Sequence, residues 1–455
     1  MSNQRQLFGT DGIRGMAGEF PLTLDNTYAI GRALGHDLIR TNPRARVVIG
    51  QDTRQSNHWI ADRVTVGLAS RGVRVESAGV ITTPGVAYLA RSRKFDAGVV
   101  ISASHNPWTD NGIKVFSGDG YKLPDARELA IEHEIFALLT EPALETPSSA
   151  DSSLPGDATL RRAYVDWLAH NVSTNLSTLK VLVDCANGAA TAEAPELFHA
   201  CSIQATFLHA QPNGKNINEN CGALHPENVG KAIAEMEGQF DLGVTFDGDA
   251  DRALFSDASG KVVNGDAVLL MTARDMQSRD SLSGNTVVAT TMSNMGLEVA
   301  LKRSGIRMLR ANVGDKYVLE EMQKTGATLG GEQSGHIIFR DGDATTGDGL
   351  LTALRVMEIM ARSGKSLAEL VADLKMFPQT IKNVRVREKI PFAQVPEIRS
   401  AITAAERELD GNGRVVVRYS GTEALARVMV EAESEDKMRA LADSIAATIQ
   451  KSLGV

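Results

Sequence analysis

Ala97-Gly98-Val99-Val100-Ile101 runs directly into Ser102-Ala103-Ser104-His105-Asn106-Pro107. The first five residues are apolar and valine-rich, which predicts a short buried strand. His105, Asn106 and Pro107 then end it in a tight polar turn. The Ser104 hydroxyl is thus expected at the carboxyl end of a strand, where open α/β sheets gather their ligands. A serine there, with histidine beside it, has the chemistry of a nucleophile or a covalent phosphate carrier. Taken alone, the hexapeptide reads better as an ordinary strand-ending turn. The flanking sequence changes that balance.

On the amino-terminal side, strand signals at Val47–Gly50 and Val73–Glu76 alternate with helix signals at Trp59–Ser70 and Gly85–Arg91. Such alternation predicts βαβ units and a mainly parallel sheet. A helix near Arg127–Leu139 precedes Glu141–Ala158, which is rich in Pro and Ser and reads as a domain boundary. The pattern then restarts: strand Leu179–Asp184, helix Ala189–Ala200, strand Ile203–Leu208, helix Val229–Met236 and strand Leu242–Phe246. A third round has helix Val268–Met276, strand Thr286–Ala289, helix Gly296–Ser304, strand Ile306–Arg310, helix Lys316–Lys324 and strand Ala327–Gly330. The last part differs. Strands near Thr380–Val386, Arg414–Arg418 and Ala426–Ala432 accompany helices near Glu397–Leu409 and Lys437–Leu453, which predicts a small, largely antiparallel α+β domain. The expected fold is therefore α/β: three related α/β domains with mainly parallel mixed sheets, plus a C-terminal α+β domain. The expected divisions are 1–156, 157–256, 257–372 and 373–455.

The chain has 455 residues, 43% hydrophobic and 23% charged, with a formal net charge of -8. This is the composition of an ordinary globular protein. No basic stripe marks a nucleic-acid binder, and no apolar run has the length of a membrane span. Met1 to Arg14 lack a long apolar core, so no signal peptide is expected. Cys185, Cys201 and Cys221 form no C-x-x-C pair. They predict free structural thiols in a reducing cytoplasm, with neither a disulfide framework nor a zinc site.

Three further stretches carry chemistry. Phe246-Asp247-Gly248-Asp249-Ala250-Asp251-Arg252 follows an apolar strand and alternates carboxylates with small residues. Alternating Asp in a tight loop can turn three oxygens onto one hard cation. An EF-hand is excluded, because Arg252 and Ala258 stand where it needs Gly and Glu. Mg²⁺ commonly pairs a few carboxylates with phosphate oxygens, so the loop points to a phosphoryl group nearby. Gly330-Gly331-Glu332-Gln333-Ser334-Gly335-His336 offers close backbone approach, two groups able to bind sugar hydroxyls and a proton-exchanging imidazole. Arg418-Tyr419-Ser420-Gly421-Thr422-Glu423, with Arg427 beyond it, has the composition of a phosphate site. A hairpin turn with surface arginines is an equal reading of that last segment. No P-loop is present, since Ile359 precedes Gly364-Lys365-Ser366 where the first glycine is needed. G-x-G-x-x-G and G-x-S-x-G are also missing.

Together and in this order, the four loops resemble those of the α-D-phosphohexomutase family, and the likeness covers essentially the whole chain. The resemblance implies a heart-shaped molecule with four domains around a central cleft. It implies that Ser104 carries the phosphoryl group. It assigns Mg²⁺, one per subunit, to Asp247, Asp249, Asp251 and an oxygen of phosphorylated Ser104. Glu332 and Ser334 match sugar contacts, and Arg418, Ser420, Gly421, Thr422 and Arg427 match the site of the non-reacting phosphate. Lys114 and His336 are candidates for proton transfer, while Arg14 and Arg252 are expected to stabilise charge around Ser104. Gly314, Asp315 and Lys316 fall on a third-domain cleft loop. Phe8-Gly9-Thr10-Asp11-Gly12-Ile13-Arg14-Gly15 and the Gly-Glu-Gln-Ser-Gly-His loop resemble the branch acting on glucosamine 6-phosphate. Action on mannose or glucose phosphates by the same mechanism is the alternative. The expected partners are a small hexosamine phosphate and a sugar 1,6-bisphosphate activator, with no nucleic acid or membrane; a homodimer suits the family. Trp108 and Ala424 replace the aromatic and proline residues usual at their positions, and neither change removes a charge or ligand.

Overall fold

Side chains alternate across a strand, so each strand of a covered sheet feeds two cores. Val47, Ile49, Val99, Ile101, Ile113 and Val115 enter one apolar cluster with the helices Leu24–Thr41, Asn57–Ala69 and Asp125–Leu139. Val48, Val100 and Phe116 enter the other, beneath the helix Thr83–Ser92. The computed structural model from which these contacts come describes residues 5–140, 154–340, 342–420 and 424–455. It forms two compact units, one of residues 1–292 and 309–371, the other of residues 293–308 and 372–455. Residues 141–153 of the expected Pro/Ser-rich boundary lie outside the described residues.

The first sheet has six strands, in the order Phe8–Gly9, Gly12–Met16, Asp110–Ser117, Ala97–Ile101, Arg46–Gln51, Arg74–Val80. Parallel pairing joins Arg46–Gln51 to both Ala97–Ile101 and Arg74–Val80. The remaining pairs are antiparallel. A second sheet runs Val262–Val263, Ala253–Asp257, Leu242–Phe246, Lys180–Asp184, Gln204–Leu208. In a third, Thr286–Thr290 pairs parallel with Leu329–Gly331, which pairs antiparallel with Ile337–Phe339. The other unit contains an antiparallel sheet ordered Gln379–Arg385, Leu425–Ala432, Gly413–Tyr419. The helices Pro396–Leu409 and Glu435–Leu453 contribute to its apolar core.

This topology sharpens the sequence reading at one point. Each of the four chemical loops joins antiparallel neighbours. Ala97–Ile101 returns as Asp110–Ser117, Leu242–Phe246 as Ala253–Asp257, Leu329–Gly331 as Ile337–Phe339, and Gly413–Tyr419 as Leu425–Ala432. The return strands Asp110–Ser117, Ala253–Asp257 and Ile337–Phe339 of the first three were not among the expected elements. A hairpin holds both ends of the loop in a ladder, so the intervening side chains have little freedom.

Three helices of ten or more residues escaped the sequence reading: Leu24–Thr41, Ala158–His170 and Gly349–Ser363. Gly349–Ser363 is buried on most sides and carries only a narrow polar line at Arg355, Glu358 and Arg362, less than the broad polar face that marks a surface helix. Leu24–Thr41 carries Gly31 and Gly35, which weaken its helical signal. Packing explains one of them: a Cβ on Gly31 would lie 2.2 Å from Val64 O of the neighbouring helix. Among the described residues, no helix is long and apolar enough to cross a membrane.

Candidate active site

Ser104 exposes 1% of its surface and sits at φ 53°, the left-handed region that a serine enters at a cost. Its turn is held from outside. Arg54 Nη2 donates to Ser104 O and Asn106 O, both at 2.8 Å, and Nη1 donates to Pro107 O and to Asp110 O. Arg54 Nε in turn donates to buried Asp52 Oδ2 at 2.9 Å. Asn218 Nδ2 adds hydrogen bonds to Ser104 O (2.9 Å) and Asn106 O (3.1 Å). Ser102 Oγ accepts from Ser104 N and donates to Asp52 Oδ2. The turn's carbonyls are thereby occupied, leaving the Ser104 hydroxyl to do chemistry.

That hydroxyl donates to Asp247 Oδ2 at 2.5 Å. Carboxylate oxygens of Asp247, Asp249 and Asp251 lie within 4.8 Å of one another, all three residues buried. Burial, and then the charges of Asp251 and Asp249, push Asp247 well above the usual carboxylate range. Three such groups cannot all ionise cheaply without a cation. Among the described residues, Asp249 Oδ1 and Asp251 Oδ1 have no hydrogen-bond partner. Buried oxygen donors of this kind fit Mg²⁺.

Around the trio, charges alternate in sign. Lys114 Nζ is 2.8 Å from Asp249 Oδ2, 2.8 Å from Asp11 Oδ2 and 3.6 Å from Asp251 Oδ2. Lys122 Nζ then links Asp11 Oδ1 to Asp315 Oδ2, 2.6 Å from each. His336 stands 3.7 Å from both Asp315 Oδ2 and Asp251 Oδ1 and closes the ring. Burial alone would lower Lys114, but Asp11, Asp249 and Asp251 outweigh it and hold the amine charged, far above its ordinary value.

His336 is pulled both ways. Burial favours the neutral ring, while Asp251, Asp315 and Glu332 raise its pKa to about 9. Yet the Gly347 amide donates to Nε2 at 3.1 Å, which a doubly protonated ring cannot accept. That bond is shorter than either carboxylate contact, so this geometry corresponds to a neutral ring with its proton on Nδ1. His336 can therefore change its protonation state where Lys114 cannot.

An open cavity of about 440 Å³ borders this network, lined by Asp11, Arg14, His105, Arg252, Glu332 and His336 among others. Burial and the neighbouring Arg252 and Arg14 lower His105 to about 4, so it is neutral there. Arg14 and Arg252 supply the cavity with positive charge. Glu332 Oε1 accepts from Gly314 N at 3.0 Å, and Glu332 Oε2 from Ser334 Oγ at 3.5 Å. Gly314 and Asp315 line the cavity, whereas Ser334 and Lys316 do not. Lys316 turns onto Asp125 and Glu128 instead, because those carboxylates offer a closer pairing.

In the other unit, Arg418 lies directly opposite Arg427 in the ladder. Like charges so placed repel, and an anion would relieve them. Lys389 Nζ donates to Ser420 O at 2.7 Å. Gly421 and Thr422 lie outside the described residues.

Comparison with known proteins accounts for the order of the loops. The phosphoglucomutase/phosphomannomutase pattern matches throughout: alpha/beta/alpha domain I over residues 5–141, domain II over 162–260, domain III over 264–377 and the C-terminal domain over 381–448. The chain belongs to the phosphoglucomutase/phosphomannomutase family. It is 63% identical over 453 residues to the phosphoglucosamine mutase of Koribacter versatilis (strain Ellin345), covering 99% of this chain and 98% of that protein. It is 52% identical over 450 residues to that of Solibacter usitatus (strain Ellin6076), covering 99% of each. A phosphoglucomutase/phosphomannomutase family protein from Burkholderia thailandensis has a similar structure, with TM-score 0.79, 26% identity, and coverage of 98% and 97% of the two chains.

Several residues of this family member escaped sequence reasoning. Arg54, Asn218, Asp11, Lys122 and Thr83, whose hydroxyl donates to Asp249 Oδ2, were given no role. Asp11 stands inside a quoted motif, so a signal was present. Thr83 and Arg54 act on groups more than fifty residues away or on backbone carbonyls, and neither leaves a local pattern.

Proposed function

We propose that this chain interconverts glucosamine 6-phosphate and glucosamine 1-phosphate, with Ser104 as the phosphoryl carrier. The observation carrying this reading is the seat of Ser104, a buried hydroxyl 2.5 Å from one carboxylate of the trio in a turn held by its carbonyls. The choice of sugar rests on the two relatives named above and on the Gly-Glu-Gln-Ser-Gly-His loop.

In the working form Ser104 is phosphorylated. Asp247, Asp249, Asp251 and a phosphoserine oxygen would hold one Mg²⁺, which when bound neutralises the phosphoryl oxygens. Arg418, Ser420, Gly421, Thr422 and Arg427 take the substrate's non-reacting phosphate, and Glu332 and Ser334 take sugar hydroxyls. The anomeric hydroxyl attacks phosphorus in line; its O–P bond forms as the bond to Ser104 Oγ breaks. The hydroxyl proton passes through His336 and ends on Ser104 Oγ, while Lys114 stays charged beside the carboxylates. Arg14 and Arg252 stabilise the transferring group. Glucosamine 1,6-bisphosphate then turns by half a revolution. Its 6-phosphoryl group returns to Ser104, and glucosamine 1-phosphate leaves.

Loss of the bisphosphate would leave bare Ser104, so a sugar 1,6-bisphosphate is the expected activator. We place the reaction in the cytoplasm, supplying an amino-sugar phosphate for UDP-N-acetylglucosamine and the cell wall. We assign the enzyme as a homodimer and divide its chain at 156, 256 and 372. The first test is kcat/KM for glucosamine 6-phosphate against glucose and mannose 6-phosphates, with Mg²⁺ and a priming bisphosphate. Strong preference for the amino sugar is expected. Equal or reversed preference would overturn the sugar assignment and leave the Ser104 chemistry standing.

A further inference from the structure

Three residues of different chemistry meet in the second sheet. Asp184 ends the strand Lys180–Asp184, His209 follows the adjacent strand Gln204–Leu208, and Cys221 precedes the turn Gly222–Leu224. Parallel register sets Asp184 beside Leu208, which delivers His209 to its carboxylate. His209 Nδ1 is 3.0 Å from Asp184 Oδ1. One carboxylate oxygen, one imidazole nitrogen and the thiol sulfur all lie within 4.8 Å of one another. Asp184 and Cys221 are fully buried, while the His209 side chain is 37% exposed and gives the group a face to solvent.

We propose that Asp184, His209 and Cys221 form a second cation site, separate from the Asp247 loop and suited to Zn²⁺ or a similar transition metal. A mixed oxygen, nitrogen and sulfur set is wrong for Mg²⁺ and right for Zn²⁺. Zinc bonds of about 2.0–2.3 Å place tetrahedral ligand atoms roughly 3–4 Å apart; the His209–Asp184 pair is at 3.0 Å and all three atoms lie within 4.8 Å, so small side-chain shifts complete the set. The carboxylate is already aimed. Ala186 N donates to Asp184 Oδ1 at 2.8 Å, and Gly222 N to Asp184 Oδ2 at 3.0 Å. Backbone donors of this kind orient a ligating carboxylate from the outer shell. On binding, the ion takes the Nδ1 lone pair of a neutral His209 whose proton sits on Nε2, and the thiol proton of Cys221 passes to solvent. A water takes the fourth position from the exposed side. The sequence expectation of no zinc site rested on cysteine spacing, which is blind to ligands brought together by strand register.

The site reaches the chemistry through its loop. His209 and Cys221 bracket the segment carrying Asn218, whose amide holds Ser104 O and Asn106 O. An ion joining both ends closes that segment and stiffens the support of the Ser104 turn. The assignment does not depend on which sugar the enzyme uses.

The test is a Co²⁺ titration of the full-length, Mg²⁺-saturated protein, reading the thiolate-to-cobalt charge-transfer band in the near ultraviolet. One equivalent of band is expected. Cys221→Ser should abolish it, His209→Ala should weaken Co²⁺ binding about tenfold or more, and Asp249→Asn should leave it in place. Absence of the band in the unmodified protein, or its survival in Cys221→Ser, overturns the proposal. Should Cys221→Ser fail to fold by circular dichroism, His209→Ala decides alone, because its side chain is partly exposed. Hydrogen exchange of residues 210–220 should slow on Zn²⁺ loading; no change would refute the stiffening.

Discussion

The Ser104 turn and the Arg418–Arg427 hairpin, both proposed above to meet a phosphoryl group, are built in opposite ways. Around Ser104, the carbonyls of residues 104, 106, 107 and 110 accept from one buried guanidinium, and Asn218 doubles two of those contacts. The second hairpin sets Arg418, an exposed residue, opposite Arg427 by ladder register, and Lys389 donates to Ser420 O beside them. A group that makes and breaks bonds needs a fixed trajectory, so its support is over-determined. A phosphate that is only held needs charge, and two cations forced together supply it. The contrast says which substitutions should change kcat and which KM.

The largest effect is expected at the reacting atom. Ser104→Ala should cut turnover by at least about 10⁴-fold with an unaltered circular dichroism spectrum; substantial residual turnover would refute its role as carrier. Next comes the support. Arg54→Met leaves buried Asp52 without its charged partner and should cost about 3–5 kcal/mol of stability by denaturant titration. Asn218→Ala removes only the doubled contacts and should lower kcat by roughly tenfold, about 1.5 kcal/mol, with KM little changed. An equal change in both would mean the turn is not pre-set by its surroundings.

Arg418→Gln should do the reverse: KM rises about 10- to 100-fold, some 1.5–3 kcal/mol, and kcat moves less. Stability of the free protein should be unchanged or slightly higher, since a like-charge pair is relieved. A fall in melting temperature would show that the arginines also hold the hairpin.

A last test leaves the reacting groups and the arginine pair alone and concerns the frame behind the metal loop. Asp348 caps the helix Gly349–Ser363, and Gly349 N donates to Ala250 O inside that loop. Burial raises Asp348 to about 6, against the Leu351 amide and the Tyr164 hydroxyl, which favour the ionised form. A pKa raised by folding gives stability that is complete below about pH 4 and lost as pH rises through about 6. This component should amount to roughly 2–3 kcal/mol. Asp348→Asn keeps the cap and should flatten it in chemical denaturation between pH 4 and 6. An unchanged profile would place the titration elsewhere.

Local chemistry was legible where neighbours in the chain are neighbours in space. Asp247, Asp249 and Asp251 alternate with small residues in one tight loop, so their convergence could be inferred before any fold was known. The strand Ala97–Ile101, the turn after it and the α/β order of the first three blocks were legible for the same reason. Lys114 received a role from the family resemblance, but its charged state did not. By pattern it is a lysine between apolar Ile113 and Val115, and only the structure sets it among Asp11, Asp249 and Asp251. Lys122 joins residues 111 positions before it and 193 after it. Arg54 grips backbone carbonyls, which carry no sequence signature, and Asp184 meets His209 through strand register. The sequence by itself determined which functional groups each loop presents, because that depends on side-chain type and short-range geometry. The tertiary structure alone decided which charges face each other, and so which groups are held ionised and which can exchange a proton. Electrostatic interaction depends on distance and burial, and both come from residues far apart in the chain.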